Sequence, residues 1–554
     1  MGCLALRQGN FVRAAGVFCG VEQSIFLGTG EIMDRRNLMK LGAGALAAGM
    51  THAGVKAASA ATNAQPATAN IEQWGMLELT FNGSSAGNPF LDTHLSARFT
   101  LGHRTVEIKG FYDGDGRYKV RFSPDALGKW NWETVCNQKE LAGKTGAFDC
   151  VAPKAANLGP VGVAHTLHFQ YASGKPYFPF GTTCYSYGFV GSPVDQITLD
   201  EMVKVGFNKV RICLLPKSLG KRKPFAMPFE SIGAVVEPDK ENDWKTPVSA
   251  RFDLTRPNPA YFAHFEQRIL DLQKAGIEAD IILFHPYDAH GFSAMGEEAD
   301  DRYLRYAIAR LAAYRNVWWS VANEFDLVKS KSMKDWDRFF RIIQEEDPYS
   351  RLRSIHHSKV IYDHSKPWAT HASLQEWDFE KTPERLRAWN KPIIYDEIQY
   401  EGNIASRWGN LSSEEMTHRF WRAIINGAYA SHGETFKEIE GLPAWSDAGK
   451  LRGSSGERIT FLRKLLEATG TTGLTGAVDP YYANAYNLNQ VYLWYFDFHC
   501  VGEYDFPLPD KVTFKATVID VFAMTKTPLA GTFTGKNKIE LPGKPYLAVL
   551  FEKA

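Results

Sequence analysis

A chain of 554 residues is too long for one compact domain, and its 44% hydrophobic and 13% aromatic content can build several cores. The formal net charge of +1 argues against a nucleic-acid-binding protein, which would need a basic face. No run of 18 apolar residues occurs after residue 60, so no membrane span is predicted in the body of the chain.

The N-terminal region has the pattern of an export signal. Arg35 and Arg36 precede a short Gly/Ala-rich stretch and a small-residue cleavage site, and residues 33–60 together resemble a twin-arginine signal. Because a methionine starts this segment, residues 1–32 are predicted to be an upstream start extension, and residues 61–72 are interpreted as a linker. The mature protein is therefore expected to be periplasmic or secreted, exported by the twin-arginine route.

Short alternating strands separated by turn residues follow the linker. Leu77–Phe81 and Tyr118–Phe122 are two of them, and this rhythm predicts a β-sandwich over residues 73–155. Cys136 and Cys150 flank a polar, glycine-containing segment and could form a disulfide in an oxidising compartment.

From residue 160 to residue 472, apolar strands alternate with helical patterns, which favours a parallel sheet of βα units. Eight such strands predict an α/β fold, a (β/α)8 TIM barrel, as the catalytic domain. The strands are predicted at 178–183, 209–214, 277–284, 317–322, 353–356, 369–371, 392–395 and 427–431. An open doubly wound sheet is the alternative, but no GxGxxG motif supports dinucleotide binding.

Strand patterns return after the predicted barrel. Residues 490–498 and 546–551 are apolar and are separated by segments with proline and glycine, which predicts a C-terminal β-sandwich over residues 476–554. The fold class is therefore a TIM barrel flanked by N-terminal and C-terminal β-sandwich domains.

Two of the predicted barrel strands end on a glutamate. Asn323 and Glu324 end the fourth strand, and Asp396 and Glu397 end the seventh. The C-terminal ends of barrel strands open onto the active-site face, and cleavage of a glycosidic bond needs two carboxyl groups there. A glycoside hydrolase is therefore predicted. Neighbouring residues of a strand point to opposite faces, so periodicity leaves open whether Asp396 or Glu397 points inward.

Further candidate residues for substrate binding lie in or just after the predicted barrel strands. Arg211 lies within the second strand, where a buried arginine needs a charged partner. Trp445 follows strand eight and is a candidate stacking platform for a sugar ring. The remaining candidates, with Asn323, are Tyr185 after strand one, His285 and Tyr287 after strand three, His371 after strand six and Glu434 at the end of strand eight. No Cys/His cluster indicates a metal, and no cofactor is predicted.

The pair formed by Asn323-Glu324 and Glu397 resembles the pattern of clan A of the retaining glycoside hydrolases. Other segments are more similar to a group of bacterial apiosidase-like (β/α)8 proteins that carry an uncharacterised N-terminal β-sandwich and a C-terminal one. These segments are residues 110–116, 177–185, 395–402, 431–436 and 541–546. The resemblance covers nearly the whole chain from Trp74. It implies that Glu324 is the general acid/base and Glu397 the nucleophile of a retaining double displacement.

The expected substrate is a plant or bacterial oligosaccharide or polysaccharide, and the resemblance does not specify it further. Exo action is favoured, because sandwich domains around a barrel mouth tend to narrow it. An inverting glycosidase or a transglycosylase at the same site remains an alternative, as does a non-catalytic carbohydrate-binding protein. The sequence does not indicate the sugar, the linkage or the oligomeric state.

Overall fold

The computed structural model describes residues 70–217, 223–236, 251–437, 445–477 and 481–554. The predicted start extension, the export signal and most of the linker lie outside these ranges. Among the helices in these ranges, none is long and apolar enough to cross a membrane.

The N-terminal strands form two sheets that face each other as a sandwich. The five-stranded sheet has the order Asn70–Glu72, Thr145–Val151, Gly128–Cys136, Leu95–Leu101 and Arg104–Lys109, and the three-stranded sheet has the order Leu77–Asn82, Arg117–Phe122 and Phe111–Tyr112. Side chains of both sheets, among them Phe99, Val120 and Trp130, are buried between the sheets. A single helical turn, Pro89–Asp92, precedes the strand Leu95–Leu101. The N-terminal β-sandwich is confirmed.

The suggested disulfide between Cys136 and Cys150 is wrong. Cys150 lies opposite Gly128 in the paired strands, whereas Cys136 is at the far end of the strand that Gly128 begins. Both thiols are free. A disulfide needs Cα atoms within roughly 7 Å of each other, and the length of this strand separates them by more.

The barrel consists of eight parallel strands, which confirms the predicted fold class. They are β1 Phe180–Thr183, β2 Lys209–Cys213, β3 Glu278–Phe284, β4 Val317–Ala322, β5 Arg353–Ser354, β6 Ala372–Gln375, β7 Ile393–Glu397 and β8 Tyr429–His432. Hydrogen bonding runs in the order β5-β4-β3-β2-β1-β8-β7-β6, so within the described residues only the seam between β5 and β6 lacks strand pairing.

The sixth strand was predicted at 369–371 and lies three residues later, at Ala372–Gln375. Polar residues explain the error, because Ser373 and Gln375 interrupt the apolar pattern of the true strand. Thr370, in the predicted segment, instead uses its hydroxyl to bond both the backbone N–H and the carbonyl of Arg353.

Seven helices pack around the barrel within the described residues. They are α1 Val194–Val205, α2 Pro259–Lys274, α3 Glu297–Leu311, α4 Met333–Glu346, α5 Thr382–Trp389, α6 Ser413–Ile425 and α7 Ser455–Ala468. Local sequence explains their starts: Asn258 caps α2 ahead of Pro259, and Ser332 with Asp335 forms a capping box on α4. The apolar face of α4, with Trp336, Phe339 and Phe340 among its residues, is buried against the barrel.

Shorter elements occupy the two ends of the barrel. The strands Val161–Ala164, His168–Tyr171 and Pro176–Tyr177 form a small sheet that closes the N-terminal end, where Phe169 packs on Trp318 and Tyr429. The C-terminal end carries two strand pairs, Phe229–Ile232 with Arg251–Pro257 and Glu401–Gly402 with Glu434–Thr435. The described ranges also contain five short 3-10 helices, Phe292–Ala294, Phe325–Leu327, Phe379–Lys381, Arg407–Gly409 and Trp445–Asp447.

The C-terminal domain is a second sandwich, as predicted. Its six-stranded sheet has the order Thr475–Ala477, Asn484–Asn487, Val491–Tyr495, Leu547–Lys553, Phe514–Asp520 and Thr525–Pro528, and the strands Glu503–Pro507 and Lys536–Glu540 pair with each other. Trp494 and Phe506 pack in its core. On the barrel side, Tyr495 stacks on Trp421 of α6.

A buried charge network joins the N-terminal sandwich to the barrel. Arg121 of the sandwich donates to the carboxylate of Glu266 on α2 at 2.9 Å and to the carbonyl of Arg310 on α3 at 2.7 Å. Arg310 in turn pairs with Glu266 at 2.6 Å and with Asp113 of the sandwich at 2.8 Å. Each domain therefore supplies counter-charges that the buried groups of the other domain require.

Candidate active site

Glu324 lies in a sharp turn directly after β4. Its backbone has a φ of 43°, a left-handed conformation that is uncommon for a residue with a side chain, and the 3-10 helix Phe325–Leu327 follows at once. Its backbone N–H donates to Nδ1 of the buried His356 at 3.4 Å. Strained backbone of this kind persists where the surroundings hold it, often at functional sites.

The backbone at the end of β7 determines which of Asp396 and Glu397 lines the pocket. The register with β6 shifts there, because Leu374 pairs with Tyr395 whereas Gln375 pairs with Glu397, so Asp396 is skipped. Such an irregularity interrupts the alternation of side chains along a strand. Both carboxylates therefore lie within the barrel, at different depths, and Glu397 is the one that lines the pocket at the mouth.

Asp396 lies below the pocket in a fully buried network. It accepts hydrogen bonds from Lys209 at 2.7 Å, Ser373 at 2.6 Å and Ser431 at 2.8 Å, and Lys209 also pairs with Asp280 at 2.7 Å. Burial opposes ionisation of Asp396, but Lys209 and Arg211 outweigh it and hold the pKa of this carboxyl below its usual value. Asp396 is therefore a charged support beneath the site.

Arg211 connects the two glutamate-bearing strands. Its guanidinium donates to Oε1 of Glu397 at 3.2 Å and to Oδ1 of Asn323 at 2.6 Å. Burial would lower the pKa of Arg211, but Asp396, Tyr185 and Glu397 raise it, so the guanidinium is charged. The structure thus gives this buried arginine the charged partner that the sequence required.

Two tyrosines link the glutamates through Asn323. The hydroxyl of Tyr185 donates to Glu397, and that of Tyr287 donates to Glu324. Nδ2 of Asn323 reaches both hydroxyls, at 3.4 Å for Tyr185 and 3.2 Å for Tyr287. These hydrogen bonds connect the carboxyl groups of Glu324 and Glu397, which therefore belong to one site.

The environment of Glu324 favours its protonated form. Burial and, after it, the charge of Glu397 raise the pKa of Glu324 to about 7, against smaller lowering effects of hydrogen bonds from Tyr287 and Gln375. Glu397, by contrast, is ion-paired with Arg211. The two carboxyl groups therefore meet different surroundings within one site.

These groups line a pocket of about 550 Å³ at the C-terminal end of the barrel. Of the predicted site residues, Glu324, Glu397, Tyr185 and Tyr287 line it directly. Asn323 and Arg211 lie beneath it and hydrogen-bond three of these four residues, Glu397, Tyr185 and Tyr287. His285 also supports the pocket from outside, because its Nε2 bonds the carbonyl of Leu215 at 2.9 Å while its ring stacks on Tyr287.

Two predicted site residues lie elsewhere. His371 precedes β6 instead of following it, and its ring packs on Trp318 and Phe169 at the N-terminal end of the barrel. Trp445 is buried in the barrel, where its indole donates to Thr182 at 2.8 Å. The predicted placement of His371 after β6 is wrong, and Trp445 has no exposed face on which a sugar could stack.

Glu434 is buried next to the site and does not line the pocket. Its carboxylate accepts the backbone N–H groups of Arg452 and Gly453 at 2.7 and 2.8 Å, and burial raises its pKa to about 7. With Glu401 and His432 it forms the one group within the described residues whose ligand atoms are close enough to hold a metal ion. Glu401 likewise accepts the N–H of Ser454 at 2.9 Å, so both carboxylates stabilise the turn before α7.

Several residues of the pocket were not predicted from the sequence. Trp377, Trp408, Tyr400 and Gln375 line it, and His356 lies behind it with Nε2 4.0 Å from Oε1 of Glu397. Trp377 follows β6, and Tyr400 and Trp408 follow β7, so their positions after barrel strands could have marked them as candidates. Nothing in the sequence distinguishes them from tryptophans that pack in a core.

A parallel barrel with two carboxyl groups at the ends of its fourth and seventh strands defines the protein as a glycoside hydrolase. The family model "Apiosidase-like, catalytic domain" matches residues 164–469, more than half of the chain. The chain therefore belongs to the apiosidase-like family. Two domains of unknown function flank this match, DUF5060 at residues 70–137 and DUF5605 at residues 481–552.

Solved structures agree with this assignment. A "putative glycoside hydrolase" from Bacteroides vulgatus ATCC 8482 is 35% identical with a TM-score of 0.81, over 88% of this chain and 100% of that one. A glycoside hydrolase family 5 protein from the same organism shares the fold, with 13% identity and a TM-score of 0.53 over 71% of this chain and 93% of that one. A search of curated proteins gave no match.

Proposed function

We propose that the protein cleaves O-glycosidic bonds with retention of configuration, with Glu397 as the nucleophile and Glu324 as the general acid/base. One observation carries this proposal: the two carboxyl groups lie in one site with opposite surroundings. Glu397 pairs with Arg211, whereas burial raises the pKa of Glu324 to about 7. A pair of carboxyl groups with different environments can divide the roles of nucleophile and acid.

In the first step an oxygen of Glu397 bonds to the anomeric carbon while the bond to the leaving oxygen breaks. Glu324 gives its proton to that oxygen. Among the described residues, hydrogen bonds reach Glu397 only at Oε1, from Arg211 and Tyr185, which leaves Oε2 available to attack. In the second step Glu324 takes a proton from water, the water oxygen bonds to the anomeric carbon, and the bond to Glu397 breaks.

The stereochemistry tests this mechanism directly. The purified protein is screened against aryl glycosides and plant and bacterial polysaccharides, and the product of the best substrate is followed by proton NMR from the first minutes. We expect the first anomer released to have the configuration of the substrate. Release of the opposite anomer would identify an inverting enzyme and would exclude Glu397 as a covalent nucleophile.

We also propose exo action on a plant or bacterial oligosaccharide or polysaccharide. Support comes from the pocket, whose volume of about 550 Å³ is typical of small-molecule sites rather than of a long groove. Chromatography of early products distinguishes the modes. Exo action releases one small sugar from the start, whereas a ladder of intermediate lengths would contradict it.

Export by the twin-arginine route is a further proposal, supported by Arg35 and Arg36 ahead of a Gly/Ala-rich stretch. We expect replacement of both arginines by lysine to leave the protein in the cytoplasmic fraction, measured by immunoblot of periplasmic and cytoplasmic extracts. An unchanged distribution between the fractions would refute this route.

A further inference from the structure

Two tryptophans at the catalytic pocket are exposed. Trp377 and Trp408 are each 50% exposed, and both line the pocket. Every other tryptophan in the described ranges is buried or intermediate in exposure. Leaving a large apolar side chain in water forgoes the free energy of burial, so two exposed indoles in one pocket indicate a surface that a ligand covers.

Trp377 lies close in the chain to a residue that contacts the acid/base. It is two residues after Gln375, whose side chain hydrogen-bonds Glu324 and whose Oε1 has no hydrogen-bond partner among the described residues. The guanidinium of Arg419 lies 5.6 Å from the centre of the indole and holds the ring in place. Trp377 thus follows closely on a residue that contacts the group that protonates the leaving oxygen.

Trp408 is connected to the nucleophile through two tyrosines. Its ring packs edge-on against Tyr400 at 5.5 Å, and its carbonyl accepts the backbone N–H of Tyr400 at 2.7 Å. The hydroxyl of Tyr400 is 3.2 Å from that of Tyr185, which donates to Glu397. Trp408 is thereby linked, through Tyr400 and Tyr185, to the carboxylate that attacks.

The charges around the pocket select against acidic sugars. Lys217 is the one cationic side chain among the described residues that line it, and Lys217 is ion-paired with Asp447. The carboxylate of Glu397 also lines the pocket, and it is ion-paired with Arg211, which lies beneath the pocket. A uronic acid in this pocket would meet the carboxylates of Asp447 and Glu397. The described residues that line the pocket offer it no unpaired cation.

We propose that Trp377 and Trp408 form two sugar subsites, one on each side of the bond that is cleaved, for a neutral oligosaccharide. Trp408 stacks on the sugar that Glu397 attacks, and Trp377 stacks on the first sugar of the leaving group. The apolar C–H face of a neutral sugar ring matches the electron-rich face of an indole. The proposal rests on the proposed function, because the roles of Glu324 and Glu397 define the two sides.

Calorimetric titration of the full chain carrying Glu397→Gln tests the subsites without turnover. The probes are short neutral oligosaccharides from arabinan, galactan and xyloglucan, with their monosaccharides, and oligogalacturonides as the acidic counterpart. We expect a neutral oligosaccharide to bind and oligogalacturonides not to bind. Trp377→Ala should weaken oligosaccharide binding roughly tenfold and leave the monosaccharide unaffected, whereas Trp408→Ala should weaken both, as expected for loss of a stacking contact.

The conservative variants Trp377→Phe and Trp408→Phe should restore most of the affinity. Phe498→Ala is the control, because Phe498 is an exposed aromatic residue of the C-terminal sandwich, outside the pocket. Binding of no neutral oligosaccharide, preferential binding of oligogalacturonides, or equal affinity in the Trp→Ala variants would each overturn the proposal. Activity that survives replacement of Glu324 and Glu397 would refute the proposed function instead, while the effect of the tryptophans on binding would still be measured.

Discussion

Replacing Glu397 by alanine is expected to lower kcat by about 10⁴-fold or more, because this change removes the group that forms the covalent intermediate. The chain should still fold, although loss of the ion pair with the buried Arg211 is expected to lower its thermal stability. Steady-state kinetics on the substrate found by screening measure the effect, and thermal unfolding checks the fold. Added azide should restore turnover by attacking the anomeric carbon in place of the missing carboxylate.

Glu384→Gln is the matched control, because Glu384 lies on the exposed face of α5. It should leave kcat and KM unchanged. If Glu397→Ala retained most of the activity of the native protein, or if Glu384→Gln lost as much, Glu397 would not be the nucleophile.

Glu324→Gln is expected to lower kcat by roughly 10²–10⁴-fold on substrates with a sugar leaving group, the range typical of general acid catalysis. The loss should be smaller on aryl glycosides whose leaving group needs no proton. The pH profile gives a second readout. Burial, and then Glu397, raises the pKa of Glu324 to about 7, and the acid must be protonated, so kcat/KM should fall as pH rises through about 7.

In the Glu324→Gln variant this alkaline limb of the profile should disappear, because the glutamine does not titrate. Glu345→Gln, on the exposed side of α4, should keep both the limb and the rate. An alkaline limb that persists unchanged in Glu324→Gln would assign the titration to a different group and would contradict the acid role of Glu324.

The barrel was predictable from sequence because most of its strands are continuous apolar runs. Such runs arise where both faces of a strand are buried, as in β4, whose bounds at Val317–Ala322 were predicted without error. The two glutamates followed from the same logic, since strand ends in a barrel meet at one face. The sixth strand was misplaced because its inward side chains, Ser373 and Gln375, are polar and serve the site rather than the core.

The inward carboxylate of β7 was not predictable from alternation alone. A regular strand would send Asp396 and Glu397 to opposite faces, and only the shift in register at Asp396 brings both into the barrel. Such a shift depends on the neighbouring strand, which local sequence does not reveal. The tryptophans illustrate the same limit, because the folding of the loops decides that Trp445 is buried while Trp377 and Trp408 are exposed.

The charges shared between Arg121, Glu266, Arg310 and Asp113 have a consequence for how the protein was assembled in evolution. A sugar-binding module on a flexible tether can be gained, lost or exchanged without harm to its catalytic neighbour. Here, removal of the N-terminal sandwich would strip Glu266 and Arg310 of partners that lie at 2.9 and 2.8 Å, leaving unbalanced charge on the outer helices of the barrel. The sandwich and the barrel are therefore expected to be inherited together, as one unit of folding.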